Sequence, residues 1–253
     1  MPYKIVIDPG HGGSDFGATY NGRTEKEDNL NLALAVGQIL ENNGIDVVYT
    51  RTSDVYNTPF EKATMANNAG ADFFVSIHRN SLPTPNSGSG VETLVFNDSG
   101  TKAEMARNIN SELAKLGFNN RGVIERPNLV VLKRTKMPAL LVEAGFINND
   151  ADNAKFDSEF GDIAAAIASG ILETLDMGQL QQMPLYKVQV GAFDNIDSAS
   201  NLSSKLNSEG YPSYIVEENN LYKVMVGAFS VLQNAVNTET RLRDDGYSTF
   251  ITT

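Results

Sequence analysis

Only two histidines occur in the 253 residues, one shortly after a short apolar run and one closing another. His11 lies in Asp8-Pro9-Gly10-His11-Gly12-Gly13, after the run Tyr3 to Asp8, and His78 closes the run Asp72 to Ile77. Glu143 closes Ala139 to Val142 in the same way, and a carboxylate at an apolar strand end is seldom buried without a partner. In an open parallel sheet, ligands gather beyond the carboxyl ends of the strands, so three ionisable groups at three strand ends can converge on one crevice. Two imidazoles and one carboxylate form a catalytic zinc set that leaves the fourth position for water. A further carboxylate then acts as general base, taking a proton from the water and passing one to the leaving amine. Glu143 is the candidate base. The ligating carboxylate is sought at the end of the Gly-rich loop, where Glu25 and Glu27 both sit near a helix start; spacing does not choose between them. Gly10, Gly12, Gly13 and Gly17 let that loop bend tightly and let a substrate approach its backbone. No local HExxH-type motif is present, so any metal site must be assembled by the fold. These residues point to a metal-dependent hydrolase and leave its substrate open.

The elements that must position them alternate. After Tyr3 to Asp8, the spacing of Leu30, Leu32, Leu34, Val36, Ile39 and Leu40 predicts a helix over Glu27 to Asn43, ended by Gly44. Asp46 to Thr50 reads as a strand. Thr58-Pro59-Phe60-Glu61 is a capping box with proline at the first helical position, opening a helix to about Ala69. Strand-like runs follow at Asp72 to Ile77, Val91 to Phe96, Leu129 to Leu132 and Ala139 to Val142. Helices are expected over Lys102 to Leu116 and through Phe160, Ile163, Ala164, Ile167, Ile171 and Leu172. Strands alternating with helices imply an α/β domain, a mostly parallel sheet flanked by helices, over residues 1–175.

Residues 176–184, with Gly, Gln and a closing Pro, read as a linker. Residues 185–253 then carry an internal repeat: Tyr186 to Phe193 (YKVQVGAF) recurs as Tyr222 to Phe229 (YKVMVGAF), and Gly210-Tyr211 as Gly246-Tyr247. Each copy continues into a helical stretch, Ala199 to Asn207 or Ala235 to Arg243, and a second strand, Ser213 to Val216 or Thr249 to Thr252. Two such units make a small α+β domain of the ferredoxin-like βαββαβ plan. By strand alternation Val188 and Val190 face the helices, while Lys187, Gln189 and Met225 share the open side.

Bulk composition narrows the partners. Hydrophobic residues make up 41% of the chain, enough for a core, and the net charge of -11 argues against a nucleic-acid partner. The repeat region is acidic too, which sets aside RNA stacking on its sheet. There is no cysteine, so disulfides and thiolate metal sites are excluded. No apolar run is long enough for a transmembrane segment.

Taken in order, IVIDPGHGGSDFGA (Ile5 to Ala18), EKEDNL (Glu25 to Leu30), ADFFVSIHRN (Ala71 to Asn80), GVET (Gly90 to Thr93), NRGV (Asn120 to Val123) and MPALLVEAGFINN (Met137 to Asn149) closely resemble the Amidase_3 family of N-acetylmuramoyl-L-alanine amidases. The resemblance implies a phosphorylase/hydrolase-like α/β fold and one catalytic Zn2+ held by His11, Glu25 and His78. It makes Glu143 the catalytic glutamate and places Asn80 and Glu92 near the substrate. The implied reaction is cleavage of the amide between N-acetylmuramic acid and L-alanine in peptidoglycan. Lys62 departs from an arginine expected in many relatives, at a place peripheral to the chemistry. Residues 185–253 resemble a SPOR domain, which implies binding of peptidoglycan glycan strands, with Lys187, Gln189, Phe193, Met225 and Phe229 as candidate sugar contacts. A soluble acylamino substrate fits less well, because such an enzyme has no use for a polymer-binding module. A non-catalytic wall-binding protein would lack one of the four key residues, and none is missing. Between Glu92 and Leu129 there is no long insertion, which predicts an open site. No signal-peptide pattern precedes Tyr3, so the expectation is synthesis in the cytoplasm followed by holin-dependent or mother-cell release to the wall.

Overall fold

The computed structural model describes residues 3–176, 186–229 and 232–253. Of the expected linker, 177–184 lies outside the described residues. The chain forms two compact units, Met1–Asn153 with Asp162–Leu180, and Ala154–Gly161 with Gln181–Thr253.

In the first unit the chain runs β1 (Lys4–Pro9), β2 (Thr19–Tyr20), β3 (Arg23–Thr24), α1 (Glu25–Asn42), β4 (Asp46–Tyr49), α2 (Pro59–Ala69), β5 (Phe73–Asn80), β6 (Val91–Val95), α3 (Gly100–Lys115), β7 (Asn120–Glu125), α4 (Val130–Arg134) and β8 (Ala139–Phe146). Helices α5 (Asp150–Ser158) and α6 (Phe160–Thr174) follow. The six-stranded sheet has the order β4-β1-β5-β8-β6-β7. Neighbours are parallel except β6 and β8, so β6 and β7 run against the other four. This is the mostly parallel α/β sheet that the alternation predicts.

Local chemistry explains the main elements. β1 is buried at every position after Lys4, as a strand covered on both faces must be. The first turn of α1 holds Glu25, Glu27 and Asp28, whose charges complement the helix dipole. Leu32, Val36, Ile39 and Leu40 form its buried stripe. α2 opens with the predicted capping box between Thr58 and Glu61 and stops at Gly70, where φ is 62°.

One strand assignment is corrected. Leu129 to Leu132 reads as a strand, but Val130–Arg134 is a short helix, and Asn120–Glu125 supplies the edge strand. Val131 and Leu132 bury against Leu94, Leu141 and Phe74, so the apolar run is satisfied by packing on the sheet rather than by joining it. The actual edge strand is half-exposed and has only Val123 and Ile124 as apolar residues, which hides its period. Strands β5 and β8 also extend past the predicted ends, so His78 and Glu143 lie within them rather than after them.

The second unit contains β9 (Tyr186–Phe193), α7 (Ile196–Ser208), β10 (Ser213–Glu218), β11 (Leu221–Phe229), α8 (Leu232–Asp244) and β12 (Phe250–Thr252). Its antiparallel sheet has the order β10-β11-β9-β12, the ferredoxin-like arrangement. The core is built from equivalent residues of the two repeats: Val188 with Val224, Val190 with Val226, Ala199 with Ala235, and Leu206 with Leu242. The repeats also exchange polar contacts. Tyr211 hydrogen-bonds Asp245 and lies under Arg241, while Tyr247 hydrogen-bonds Glu209 and lies under Lys205.

Candidate metal centre

β1 delivers His11 through a loop that folds back on itself. Gly12 N donates to Asp15 O at 2.9 Å and Asp15 N to Gly12 O at 3.0 Å. That turn sets His11 at φ 59° and brings Asp15 Oδ2 within 2.9 Å of His11 Nδ1. With Nδ1 so engaged, Nε2 faces the site. The loop is clamped from below: Arg51 donates to Gly10 O at 2.9 Å and Lys26 O at 2.8 Å. Lys62 donates to Pro9 O at 2.8 Å and pairs with buried Asp8 at 2.8 Å. Lys62 is thus the foundation of the His11 loop.

The first residue of α1, Glu25, is 4% exposed and takes its place beside both histidines. Its Oε1 lies 3.2 Å from His11 Nε2 and 2.9 Å from His78 Nδ1. Asn29 Nδ2 and Arg79 N each approach the same oxygen at 3.2 Å, and Oε2 accepts Ala18 N at 2.8 Å. Glu27 turns to solvent and accepts from the Thr24 hydroxyl. Of the two glutamates, Glu25 is the one that stands beside the histidines. One ligand atom from each of His11, Glu25 and His78 falls within 4.8 Å of the others, an arrangement that could hold a metal ion. Two nitrogens and one carboxylate oxygen suit a borderline-soft divalent cation.

Register places the base candidate. Glu143 of β8 stands opposite His78 of β5 on one side and Glu92 of β6 on the other. Its Oε2 is buried with no hydrogen-bond partner among the described residues. Burial first, and then the charges of Glu25 and Glu92, push its pKa from 4.5 up to about 8. His11 is pulled down by burial, but hydrogen bonds and charge from Glu25 and Asp15 outweigh that and raise it to about 9. For Glu25, burial opposes the charge, while both histidines hold its pKa far below the usual carboxylate range.

Of the other sequence candidates, Glu92 is 8% exposed and receives Arg121 Nε at 2.8 Å. Asn80 ends β5, its Oδ1 accepting Ser81 N at 2.8 Å and its carbonyl accepting Ile147 N at 2.8 Å. Asp15, Asn29 and Arg121 were not singled out by sequence. All three lie inside runs that carry the family resemblance, Asp15 in IVIDPGHGGSDFGA, Asn29 in EKEDNL and Arg121 in NRGV, but no metal or acid–base spacing marks them individually.

In the repeat unit, Lys187 and Gln189 are partly exposed. Phe193 and Phe229 pack against the core, each ring lying where a Cβ on Gly191 or Gly227 would stand, 2.7 and 2.3 Å away. Met225 does not sit on an open face as alternation predicts: it is 3% exposed, paired with buried Tyr214. Its register with β10 is unbroken and its neighbours Val224 and Val226 enter the helix-side core, so alternation holds along this part of β11 and the opposite face is itself covered there.

Residues 5–173 match the family described as N-acetylmuramoyl-L-alanine amidase (Amidase_3), and residues 183–253 match the SPOR domain. The chain is 40% identical over 219 residues to a sporulation-specific N-acetylmuramoyl-L-alanine amidase of Bacillus subtilis, covering 84% of each chain. It is 37% identical over 187 residues to an endolysin of Bacillus phage SPP1, covering 70% of this chain and 68% of the other. Among solved structures, N-acetylmuramoyl-L-alanine amidase from Clostridium difficile 630 superposes with a TM-score of 0.65 at 36% identity, over 69% of this chain and 97% of that one. No helix among the described residues is long and apolar enough to cross a membrane. With His11, Glu25, His78 and Glu143 brought together by the fold and these matches along its length, the chain belongs to the N-acetylmuramoyl-L-alanine amidase family and carries a SPOR domain.

Proposed function

We propose that the protein is a zinc-dependent peptidoglycan amidase that cuts the bond between the lactyl group of N-acetylmuramic acid and L-alanine. The observation that carries this reading is the convergence of His11, Glu25 and His78, with Glu143 on the adjoining strand. His11, Glu25 and His78 would hold the ion, which supplies Lewis-acid polarisation of the scissile carbonyl and of the attacking water. Asp15 fixes the His11 ring, and Asn29 and the Arg79 N–H fix Glu25. Glu143 takes the proton of the attacking water as the new C–O bond forms. It then delivers that proton to the amide nitrogen, so the C–N bond breaks with a neutral amine leaving. Its unpartnered Oε2 and raised pKa suit a group that must both accept and release a proton near neutral pH.

The SPOR domain would hold the enzyme on glycan strands, with Lys187 and Gln189 as the exposed candidates for sugar contact. Domain limits of 1–175 and 185–253, joined by a linker, fit this division of labour. Release to the wall at cell lysis, whether holin-dependent or from a rupturing mother cell, suits both a sporulation enzyme and a phage lysin. The test is metal analysis alongside activity on a muramyl peptide. One zinc per chain, removed by chelation with loss of activity and restored by zinc, is expected. His11→Ala, Glu25→Ala and His78→Ala should each lose zinc, and zinc-free protein of full activity would refute the reading.

A further inference from the structure

The row formed by His78, Glu143 and Glu92 on β5, β8 and β6 continues to Arg121 on the edge strand β7. Arg121 Nε donates to Glu92 Oε2 at 2.8 Å. Its guanidinium carbon lies 5.1 Å from the centre of the Phe146 ring, and Phe146 is itself 1% exposed. An ion pair on one edge and an aromatic ring below leave the guanidinium little freedom. Among the described residues, Nη1 and Nη2 have no hydrogen-bond partner, and the side chain is 37% exposed. Neutralising Glu92 needs only the Nε donor. The outer pair of nitrogens remains as a preorganised fork, the shape that a carboxylate takes up with two parallel hydrogen bonds.

The chemistry of the substrate says which carboxylate. In an intact muramyl peptide the lactyl carboxyl is consumed in the amide to be cut, and the N-acetylated sugars are neutral. Negative charge near the scissile bond therefore belongs to the peptide. Away from the proposed ion, the fork of Arg121 is the cationic group of this row that can take up an incoming carboxylate, since Glu143 and Glu92 beside it offer none. Adjacent strands lie about 4.8 Å apart, which puts β7 about 10 Å from β8, less the lean of Arg121 toward Glu92. At about 3.3–3.6 Å per extended residue, that reaches the second or third residue of the stem.

We propose that Arg121 binds a carboxylate on the second or third residue of the stem peptide and so orients the peptide side of the scissile bond. The assignment rests on the amidase reading above. It is tested with a muramyl tripeptide carrying free stem carboxylates and with the same compound amidated at those carboxyls. Cleavage is measured for the wild type, Arg121→Gln and Arg121→Met. Binding of both uncut compounds is measured in a Glu143→Gln background, with and without the Arg121 substitutions. The wild type should favour the free carboxylates by about 10–100-fold in kcat/KM, as loss of a charge-assisted pair would give. Both Arg121 variants should bring the ratio near one, in cleavage and in binding. A preference that persists in both variants, or a wild type indifferent to amidation, overturns the assignment. If the wild type cuts neither compound, the amidase reading falls, and the binding ratio in the Glu143→Gln background still decides Arg121.

Discussion

Glu25 Oε1 is approached by His11 Nε2, His78 Nδ1, Asn29 Nδ2 and Arg79 N, all within 3.2 Å. Such crowding holds the ligand set in place before any metal arrives. Because Asp15 fixes the His11 tautomer, Asp15→Asn should weaken zinc affinity by about 10–100-fold, read by competition with a chelator. An unchanged affinity would show that the loop alone orients the ring. Glu143 gives a pH prediction. Its folded pKa of about 8 exceeds the ordinary 4.5, so the carboxyl stabilises the fold below pH 4.5 and that contribution is lost as pH rises toward 8. In chelated protein, the Tm of Glu143→Gln should therefore exceed that of the wild type by a margin that grows over this range; a constant margin would show that Glu143 is not desolvated. At this scale the sequence was informative where residues were scarce. With two histidines in the chain, both could be placed at once. Glu25 and Glu27 could not be separated by spacing, because the choice depends on which way the first turn of α1 faces. Arg121 lies in the NRGV run, but its contacts with Glu92 and Phe146 arise only when the sheet forms and leave no mark in spacing.

At the element scale, the site depends on how closely β1 and its loop approach their neighbours. A Cβ on Gly10 would stand 2.4 Å from the His78 ring, and one on Gly17, at φ 65°, 2.6 Å from Glu25 Oε2. Gly10→Ala should therefore displace His78 and abolish zinc binding, and isothermal titration with zinc checks it; retained binding would mean that the ring can move without cost. Beneath the loop, Lys62 and Asp8 form a pair that is 5% and 1% exposed. Removing one partner leaves the other charge buried, so Lys62→Met should lower stability by ~3–5 kcal/mol in denaturant melts. A loss within about 0.5 kcal/mol, ordinary for surface positions, would contradict this. The elements around the site were legible because their periods are strong: five successive buried positions in β1, and a proline-led capping box in α2. Edge strand β7 and helix α4 were not, since an edge strand shows water half its residues and a short apolar run fits helix and strand alike.

For the whole molecule, chemistry and wall attachment fall on different stretches of chain. Truncation after Asp176 should leave cleavage of a soluble muramyl peptide within about two-fold, while sedimentation with insoluble peptidoglycan is lost, because the tail tethers the enzyme to the polymer; truncated protein that still sediments would move wall binding to the amidase domain. The repeat in residues 185–253 was readable directly, because YKVQVGAF and YKVMVGAF differ at one position. Which face meets sugar was not, because Met225 and Tyr214 are buried on the face that alternation leaves open. The central claim is that this chain separates stem peptide from glycan with a metal at His11, Glu25 and His78 and a proton carrier at Glu143. The most direct test is mass spectrometry of the products from purified peptidoglycan treated with wild type, chelated enzyme, zinc-restored enzyme and Glu143→Gln. Free stem peptides with new L-alanine amino termini are expected from the wild type and the zinc-restored enzyme, and should fall by about 10²–10⁴-fold in rate for Glu143→Gln. Peptides left attached to glycan by the wild type, or released equally well by Glu143→Gln, would contradict it.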